Sequence, residues 1–291
     1  MSQVLTTLFH LPSSKWITIA ILGVTCVFYT YALLHGMKGI SLLAKSCMYL
    51  FFALLAYVLF LGGETRYILE TGFAAVGNLA QNFLGLATFT DPQRTTSFPQ
   101  TWTIFYWAYW MVWCVASPFF IGSISRGRTV RQTILGGYAC CVSATCLSFI
   151  ILGNYSLGLQ VSGKLDVAIY AAGNDLYTTI ISIIQTLPLA PLVLVLLIVA
   201  MVAFYATSFD SIALVASSYT YRQITGDEEP HNAVKAFWAI MLILLPMALV
   251  FSDSSMANLQ SVSIIAAFPV AFVILLIIAS FLKDASDYLK S

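Results

Sequence analysis

Long apolar stretches recur along the chain, and this recurrence limits the possible folds more than any single motif does. Each stretch has about 20 residues, the length that a helix needs to cross the hydrocarbon core of a bilayer. Seven such stretches lie at residues 16–35, 45–62, 102–124, 132–152, 190–221, 234–251 and 258–282. Lipid cannot satisfy backbone amide and carbonyl groups, so a membrane segment must bond them internally. The sequence therefore predicts an all-α fold, a polytopic transmembrane helix bundle with about seven spans.

The composition excludes several classes of protein. Of the 291 residues, 60% are hydrophobic and 9% are charged, whereas soluble domains have about 25% charged residues. The net charge of +1 and one small basic cluster at 126–131 give no surface for nucleic acid. The histidines His10, His35 and His231 lie far apart in loops, which supports neither a metal centre nor a catalytic triad. We therefore expect no enzyme activity, no cofactor and no nucleic-acid partner, and sodium is the only metal to consider.

The charged residues between the apolar stretches predict the topology. When the loops are assigned alternately to the two sides, most Lys and Arg residues share one side: Lys38, Lys45, Arg126, Arg128, Arg131, Arg222, Lys235, Lys283 and Lys290. The other side has only Lys15, Arg66, Arg94 and Lys164. Cytoplasmic loops carry the excess of Lys and Arg in membrane proteins. We expect a multi-pass protein whose N-terminus is external and whose C-terminus is cytoplasmic.

Two external segments are polar yet regularly patterned. In residues 69–84, apolar side chains recur every three or four positions, which predicts an amphipathic helix along the membrane surface. A second helix is predicted from the caps Asn174 and Asp175 to Gln185. Together with residues 153–164, this helix is predicted to form an external hairpin that could act as a lid.

Residues 102–118 read WTIFYWAYWMVWCVASP, with seven aromatic side chains and no charge. Side chains three or four positions apart share one face of a helix. The rings on this face are Trp102, Phe105 or Tyr106, Tyr109 or Trp110, and Trp113. A quaternary ammonium group cannot be hydrogen-bonded, but each aromatic face attracts it by roughly 0.5–2 kcal/mol. The alternative is helix packing with an interfacial aromatic belt, which suits Trp102 and Tyr106 better than the deeper Trp113.

The stretch FYATSFDS, residues 204–211, lies in the fifth predicted span. Asp210 is the only acidic residue inside a predicted span, and an intramembrane carboxylate is costly enough to be a functional candidate. The hydroxyls of Thr207, Ser208 and Ser211, with freed backbone carbonyls, could ligate Na⁺. The alternative is that these hydroxyls bond their own helix and that Asp210 pairs with a polar group of a neighbouring helix.

Several motifs together resemble one family of transporters. WTIFYWAYW, followed by ISRGRT at the family's spacing, resembles the signature of the betaine/carnitine/choline transporter family, and FYATSFDS resembles its sodium-site helix. GMKGISLLAKS is similar to the cytoplasmic stretch before the family's seventh span, and residues 69–84 are similar to its external connecting helix. The resemblance covers nearly the whole chain. It implies a fold of twelve spans with two five-helix inverted repeats, of which this chain resembles spans six to twelve.

The resemblance also implies a domain organisation. The chain would be a single transmembrane transporter domain, 1–291, that lacks the family's first spans. Residues 1–62 would end the first repeat, 63–100 would form the external amphipathic connecting helix and loop, 101–282 the second repeat, and 283–291 a cytoplasmic tail.

Carried over by position, the resemblance implies two sets of site residues. The substrate path would be lined by Trp107, Tyr109, Trp110 and Trp113. Sodium would be held by the carbonyl of Phe204 and by the hydroxyls of Thr207 and Ser208. Thr207 and Ser208 therefore favour sodium coupling over exchange without an ion.

The aromatic motif departs from the family's pattern at two places. Tyr109 stands where the family usually has a tryptophan. The tyrosine offers a smaller aromatic surface and adds a hydroxyl. Val115 and Ala116 replace the usual proline and phenylalanine, so the helix break is expected at Pro118 instead. These departures leave the identity of the substrate open.

The implied function is secondary active transport of quaternary ammonium or related zwitterionic solutes, of the betaine, carnitine or choline type. It would take place across the bacterial cytoplasmic (inner) membrane, with sodium coupling in the full-length form. The alternative is a truncated remnant without transport, or a subunit that needs a partner chain. The expected partners are the small substrate and the lipid bilayer, and a homo-oligomer is left open.

Overall fold

The computed structural model describes residues 1–10, 14–173, 176–222, 229–252 and 256–290. The side chains at 37, 115, 116, 119, 123 and 256–259 lie outside this description. The described residues form helices joined by turns and loops, without a β-strand. The all-α prediction is confirmed.

The α-helices follow one another along the described chain with short connections. In order they are α1 Ser2–Phe9, α2 Lys15–Leu34, α3 Gly36–Leu61, α4 Thr65–Ala87, α5 Ile104–Ile124, α6 Val130–Ser148, α7 Asn154–Val161, α8 Val167–Gly173, α9 Leu176–Gln185, α10 Ala190–Tyr219, α11 Asn232–Phe251 and α12 Met256–Lys290. Two π-helical turns, Pro99–Thr103 and Phe149–Gly153, lead into α5 and join α6 to α7.

Local sequence signals explain where several of these helices begin. The Ser14 hydroxyl accepts a hydrogen bond from the Trp16 amide and caps α2. Thr129 and Gln132 form a reciprocal capping box at the start of α6, with donor–acceptor distances of 3.0 and 3.2 Å. Side-chain oxygens at these positions satisfy amides that have no partner within the helix.

Six helical segments of the described chain are long and apolar enough to cross a membrane. They are Lys15–Leu34, Lys38–Leu61, Val130–Val161, Ala190–Tyr219, Asn232–Phe251 and Gln260–Lys290. They confirm six of the seven predicted spans and a polytopic membrane protein. The remaining predicted span, 102–124, coincides with α5, which has 21 residues and no charged side chain but is not among the six.

The chain divides into two compact units. The first unit comprises Met1–Phe83 and Gly127–Val250, and the second comprises Leu84–Arg126 and Phe251–Ser291. In the first unit, α10 packs against α2 and α3, and in the second, α5 packs against α12. The buried face of α10 is rich in small residues such as Ala203, Ala206 and Ala213, which allow close approach between membrane helices.

Residues 153–161 of the predicted external hairpin are helical, and their external position stays a prediction. These residues continue the membrane helix through the π-helical turn at Phe149–Gly153 and through α7. Tyr155 is buried in the main hydrophobic cluster of the first unit, and its hydroxyl lies 2.7 Å from Thr186 Oγ1. The π-helical turn accommodates one extra residue per turn and so changes the register of the following face, which a regular helical pattern does not reveal.

The other external predictions have mixed outcomes. A helix at 69–84 is confirmed as part of α4, which has an irregular backbone at Asn82 and exposes apolar side chains such as Leu69 and Phe73. The second predicted helix is confirmed as α9, while its proposed caps, 174 and 175, lie outside the described residues.

Candidate functional site

Three of the four predicted substrate residues form one group of rings on α5. The Tyr109 ring centroid lies 5.7 Å from that of Trp110 and 6.2 Å from that of Trp113, with interplanar angles of 78° and 63°. With a turn of about 100° per residue, these three side chains fall within an arc of about 100° around the helix. Edge-to-face contacts hold neighbouring rings against one another while leaving part of each face open. We call Tyr109, Trp110 and Trp113 the ring group.

Two members of the ring group, Tyr109 and Trp113, are partly buried, while Trp110 is mostly exposed. Ala108 is the only residue of α5 with a described side chain that is buried, and α5 packs against α12. Helix geometry separates Trp113 from Ala108 by about 140°. Trp110 remains 60% exposed within this chain. The exposed part of the ring group, at Trp110, is therefore available for a ligand or for another segment of protein.

Trp107 does not belong to this group. It lies about 160° from Tyr109 around the helix axis. Its side chain is 67% exposed, and it takes part in none of the described ring pairs. The structure thus brings Tyr109, Trp110 and Trp113 into ring contact, whereas Trp107 lies about 60° from Trp110 around the helix but makes none of the described ring contacts.

The predicted helix break at Pro118 is absent, because α5 continues through this proline to Ile124. Pro118 has no amide to donate to Cys114. One residue earlier, the Ser117 hydroxyl donates a hydrogen bond to the carbonyl of Trp113 at 2.8 Å. The irregular backbone lies instead before the ring group, in the π-helical turn at Pro99–Thr103.

The loop before this turn is organised by one buried carboxylate. Asp91 is 2% exposed. Its Oδ1 and Oδ2 accept bonds from the amides of Thr95, Thr96 and Ser97 and from both threonine hydroxyls, at 2.9–3.0 Å. The Thr96 amide makes the largest contribution among the bonds that lower the pKa of Asp91 to about 2. Gln100, inside the turn, donates to the Thr90 carbonyl at 2.9 Å and so ties the turn to this loop.

The three predicted sodium ligands lie together on α10. The carbonyl of Phe204 accepts bonds from Thr207 Oγ1 at 2.9 Å and from Ser208 Oγ at 3.2 Å. Ser211 Oγ donates to the Thr207 carbonyl at 2.9 Å. These are also the intrahelical bonds that the alternative interpretation expected. The three oxygens are thus gathered within one turn, and the hydroxyls are satisfied without an ion.

The residues present fit part of a sodium site. Oxygen donors suit a hard cation, and one helix turn contributes the carbonyl of Phe204 and the hydroxyls of Thr207 and Ser208. Phe204 and Thr207 also line a cavity of about 600 Å³ within the first unit. The thiol of Cys47, on α3, faces the Thr207 hydroxyl in this cavity. Any further oxygen ligands would have to come from a segment other than α10.

Asp210 lies on a different side of α10 from Ser208, separated by about 160° around the axis. Its side chain is fully buried. Oδ1 accepts a bond from Ser211 Oγ at 3.0 Å, whereas Oδ2 has no hydrogen-bond partner in the described part of the chain. The predicted pairing with a polar group of a neighbouring helix is not observed among the described residues. Asp210 is therefore linked to the oxygen cluster only through Ser211.

Sequence reasoning missed the Asp91 network and the π-helical turns. The stretch DPQRTTS, residues 91–97, does contain a signal for this network. A short acidic side chain can accept hydrogen bonds from the backbone amides and hydroxyls of residues that follow it. The neighbour of Thr207, Cys47, could not be found this way because it lies on another helix.

Comparison with known proteins identifies relatives over nearly the full chain. The family model described as BCCT, betaine/carnitine/choline family transporter, matches residues 1–290. The chain is similar to glycine betaine transporter 2 of Vibrio parahaemolyticus serotype O3:K6 (strain RIMD 2210633), with 30% identity over 277 residues, 94% of this chain and 50% of that protein. Glycine betaine transporter OpuD of Bacillus subtilis (strain 168) is 30% identical over 283 residues, 96% of this chain and 53% of its own length.

A choline carrier shows a similar relationship. The high-affinity choline transport protein of Escherichia coli (strain K12) is 27% identical over 288 residues, which are 98% of this chain and 42% of that protein. The chain therefore spans about half the length of the curated relatives it matches.

Proposed function

The chain belongs to the betaine/carnitine/choline family of transporters, and from this membership we propose that it takes part in secondary active transport of a quaternary ammonium or related zwitterionic solute. The membrane would be the bacterial cytoplasmic membrane, with the C-terminus on the cytoplasmic side. The transported solutes would be of the betaine, carnitine or choline type, as the names of the relatives suggest.

The ring group on α5 is the observation that carries this proposal. A quaternary ammonium group has no proton to donate, so it is held by aromatic faces rather than by hydrogen bonds. Tyr109, Trp110 and Trp113 offer three adjacent rings, of which Trp110 is mostly exposed and the other two are partly buried. The Tyr109 hydroxyl adds a donor for the carboxylate or hydroxyl of such a solute.

Sodium is proposed as the coupling ion. When bound, the ion would contribute positive charge that links solute binding to the sodium gradient. Thr207 and Ser208 would turn their hydroxyls from the carbonyl of Phe204 toward the ion, so that oxygens of the chain replace part of its water shell. Both side chains are only partly buried, which leaves room for that rotation.

A second candidate is supported by the coverage of the relatives. Because the chain matches about half of each of them, it could be a subunit completed by another chain, or a remnant without transport. The open aromatic face of Trp110 suits a partner segment as well as a solute.

The two candidates are separated by an uptake experiment. The 291-residue chain is produced in a bacterium without its own betaine, carnitine and choline carriers, alone and together with the N-terminal half of a full-length relative. Radiolabelled glycine betaine, carnitine and choline are offered with and without an inward sodium gradient. Sodium-dependent uptake by the chain alone supports the first candidate, and uptake only in the coexpression arm supports a subunit completed by another chain. If the chain is in the membrane in both arms and neither takes up any of the three solutes, the remnant interpretation is correct.

A further inference from the structure

Lys235 is a charged residue buried in the first turn of α11. Its side chain is 2% exposed, and its Nζ donates to Glu229 Oε2 at 2.6 Å. The Glu229 side chain is 43% exposed. The ion pair is therefore asymmetric, since the cation depends on its partner for solvation while the carboxylate still contacts water.

The Glu229 carboxylate rests directly on the backbone of Gly36, at the corner between α2 and α3. A Cβ atom added to Gly36 would lie 2.5 Å from Glu229 Oε1 and 2.6 Å from Oε2. Gly36 also has a φ of 65°, a left-handed conformation that glycine adopts without strain. A side chain at this position would be strained by the left-handed backbone and would have to displace the Glu229 carboxylate, which occupies the space that its Cβ would fill.

Two further hydrogen bonds join the end of α10 to the start of α11 beside this pair. Trp238 Nε1 donates to Thr220 Oγ1 at 2.8 Å, and the His231 amide donates to the Tyr221 hydroxyl at 3.1 Å. All of these residues belong to the first unit. Gly36, at the corner of α2 and α3, and the described residues next to α10 and α11 therefore meet at the end of the unit that the topology predicts to be cytoplasmic.

We propose that Glu229, Lys235 and Gly36 form a reversible latch that closes this end of the first unit. A buried ion pair adds little stability over apolar residues of the same size, so stability alone does not account for it. The open state is accessible because Glu229 is already in contact with water. Lys235 lies in the first turn of α11, and its long apolar stem allows the ammonium group to reach the membrane surface when the ion pair is open. The latch does not depend on the proposed solute or coupling ion.

The latch is tested by labelling lysines of the 291-residue chain in lipid nanodiscs with a water-soluble amine reagent, followed by mass spectrometry. Lys164, whose side chain is 54% exposed, is the internal reference. We expect Lys235 to react at least several times more slowly than Lys164, yet faster than the chain unfolds. E229Q removes the partner charge, and G36A displaces the carboxylate, so both substitutions should accelerate labelling of Lys235.

E70Q is the matched control, because Glu70 pairs with Arg66 at the same kind of distance, 2.7 Å, but both side chains are exposed. It should leave labelling of Lys235 unchanged. If G36A and E229Q, both folded, leave it unchanged too, no latch exists. If Lys235 reacts only as fast as the chain unfolds, the ion pair does not open in the folded state and the proposal is wrong.

A stability measurement provides a second, independent test. K235M leaves only a half-exposed carboxylate, whereas E229Q leaves a buried ammonium group without its partner. The thermal midpoint should therefore fall more for E229Q than for K235M, and the double variant should recover most of the loss. An equal or larger fall for K235M would contradict the asymmetric arrangement on which the latch rests.

Discussion

The hydroxyl of Thr207 donates a hydrogen bond to the carbonyl of Phe204, with 2.9 Å between Oγ1 and O. The same carbonyl also accepts from Ser208 Oγ at 3.2 Å. Two hydroxyls thus converge on one backbone oxygen within a single helical turn. Both proposed roles of this turn, as part of an ion site and as ordinary helix structure, use the same atoms, so only a functional measurement can separate them.

Replacing both Thr207 and Ser208 by alanine should weaken sodium dependence more than solute recognition. The substitution removes two of the three oxygens that α10 offers, and the ion would retain more of its water there. The sodium concentration for half-maximal uptake should rise while the solute KM at saturating sodium changes less. Ser217 and Ser218 are the matched control, since both donate to the Leu214 carbonyl of the same helix. Their double alanine variant should leave the sodium dependence unchanged, and an unchanged value for the Thr207 and Ser208 variant would rule out the ion site.

Replacing Trp110 by alanine should weaken solute affinity by about 1–2 kcal/mol, because one aromatic face is lost from the ring group. Trp110→Phe keeps a ring and should lose less than half of that. The measurement is the KM for uptake in a transport-competent complex. Ile104→Ala, whose exposed side chain lies about 120–180° from the ring group around α5, is the control, and its effect should be smaller than that of Trp110→Ala. Equal effects at both positions would mean that the ring group is not the binding face.

The loop around Asp91 should lose its structure only at low pH. Hydrogen bonds to its ionised form lower its folded-state pKa to about 2, while the unfolded value is about 3.9. A lowered pKa means that the carboxylate stabilises the folded state above the unfolded pKa and that this contribution is lost as the pH falls through the folded pKa. Amide exchange at Thr95, Thr96 and Ser97 should therefore stay slow at pH 5 and accelerate between about pH 4 and pH 2.

The control for this prediction is Asp91→Asn, which has one side-chain oxygen instead of two and does not titrate. Exchange in this variant should be faster at pH 5 and nearly independent of pH in the same window, after correction for the intrinsic chemistry of exchange. A wild-type loop that opens well above pH 4 would show that the carboxylate does not hold it.

Gly72→Ala should destabilise the first unit, whereas Gly77→Ala should not. A Cβ at Gly72 would lie 2.5 Å from Ile150 Cγ2 in the π-helical turn of the long membrane helix, so one of the two helices must shift. Gly77 lies in the same helix, α4, and has nothing within 4 Å of an added Cβ. Alanine there should stabilise by about 0.5–1 kcal/mol through helix propensity. Thermal unfolding of both variants decides this, and a neutral Gly72→Ala would mean that α4 is not packed on Ile150.

The positions of six membrane helices followed from the sequence because length and apolarity largely determine which segments can cross a bilayer. The boundary near Val161 did not follow. Asn154, Tyr155 and Gly158 look like loop residues in sequence, but they are buried in α7, with Tyr155 bonded to Thr186. Thr186 lies more than thirty positions along the sequence from Tyr155, so this contact leaves no periodic signal in the local pattern.

The site was predictable to the extent that it lies within single helices. The ring group and the oxygen turn at Phe204 each occupy one or two turns, so helical spacing found them. Trp107 was assigned by resemblance, and it precedes Trp110 by three positions but lies outside the described ring contacts. The pairing of Lys235 with Glu229 above Gly36 was missed because it depends on the corner of two other helices.

The most direct measurement of the central claim compares two inhibitors of solute uptake that differ only in charge. Uptake of a radiolabelled quaternary ammonium solute by the chain and its complementing half is measured with choline or with 3,3-dimethylbutan-1-ol, in which carbon replaces the charged nitrogen. If Tyr109, Trp110 and Trp113 hold the solute through cation–π attraction, choline should inhibit at least tenfold more strongly, since two or three rings at roughly 0.5–2 kcal/mol each act only on the cation. Trp110→Ala should then reduce the difference. Equal inhibition by the two compounds would contradict the account.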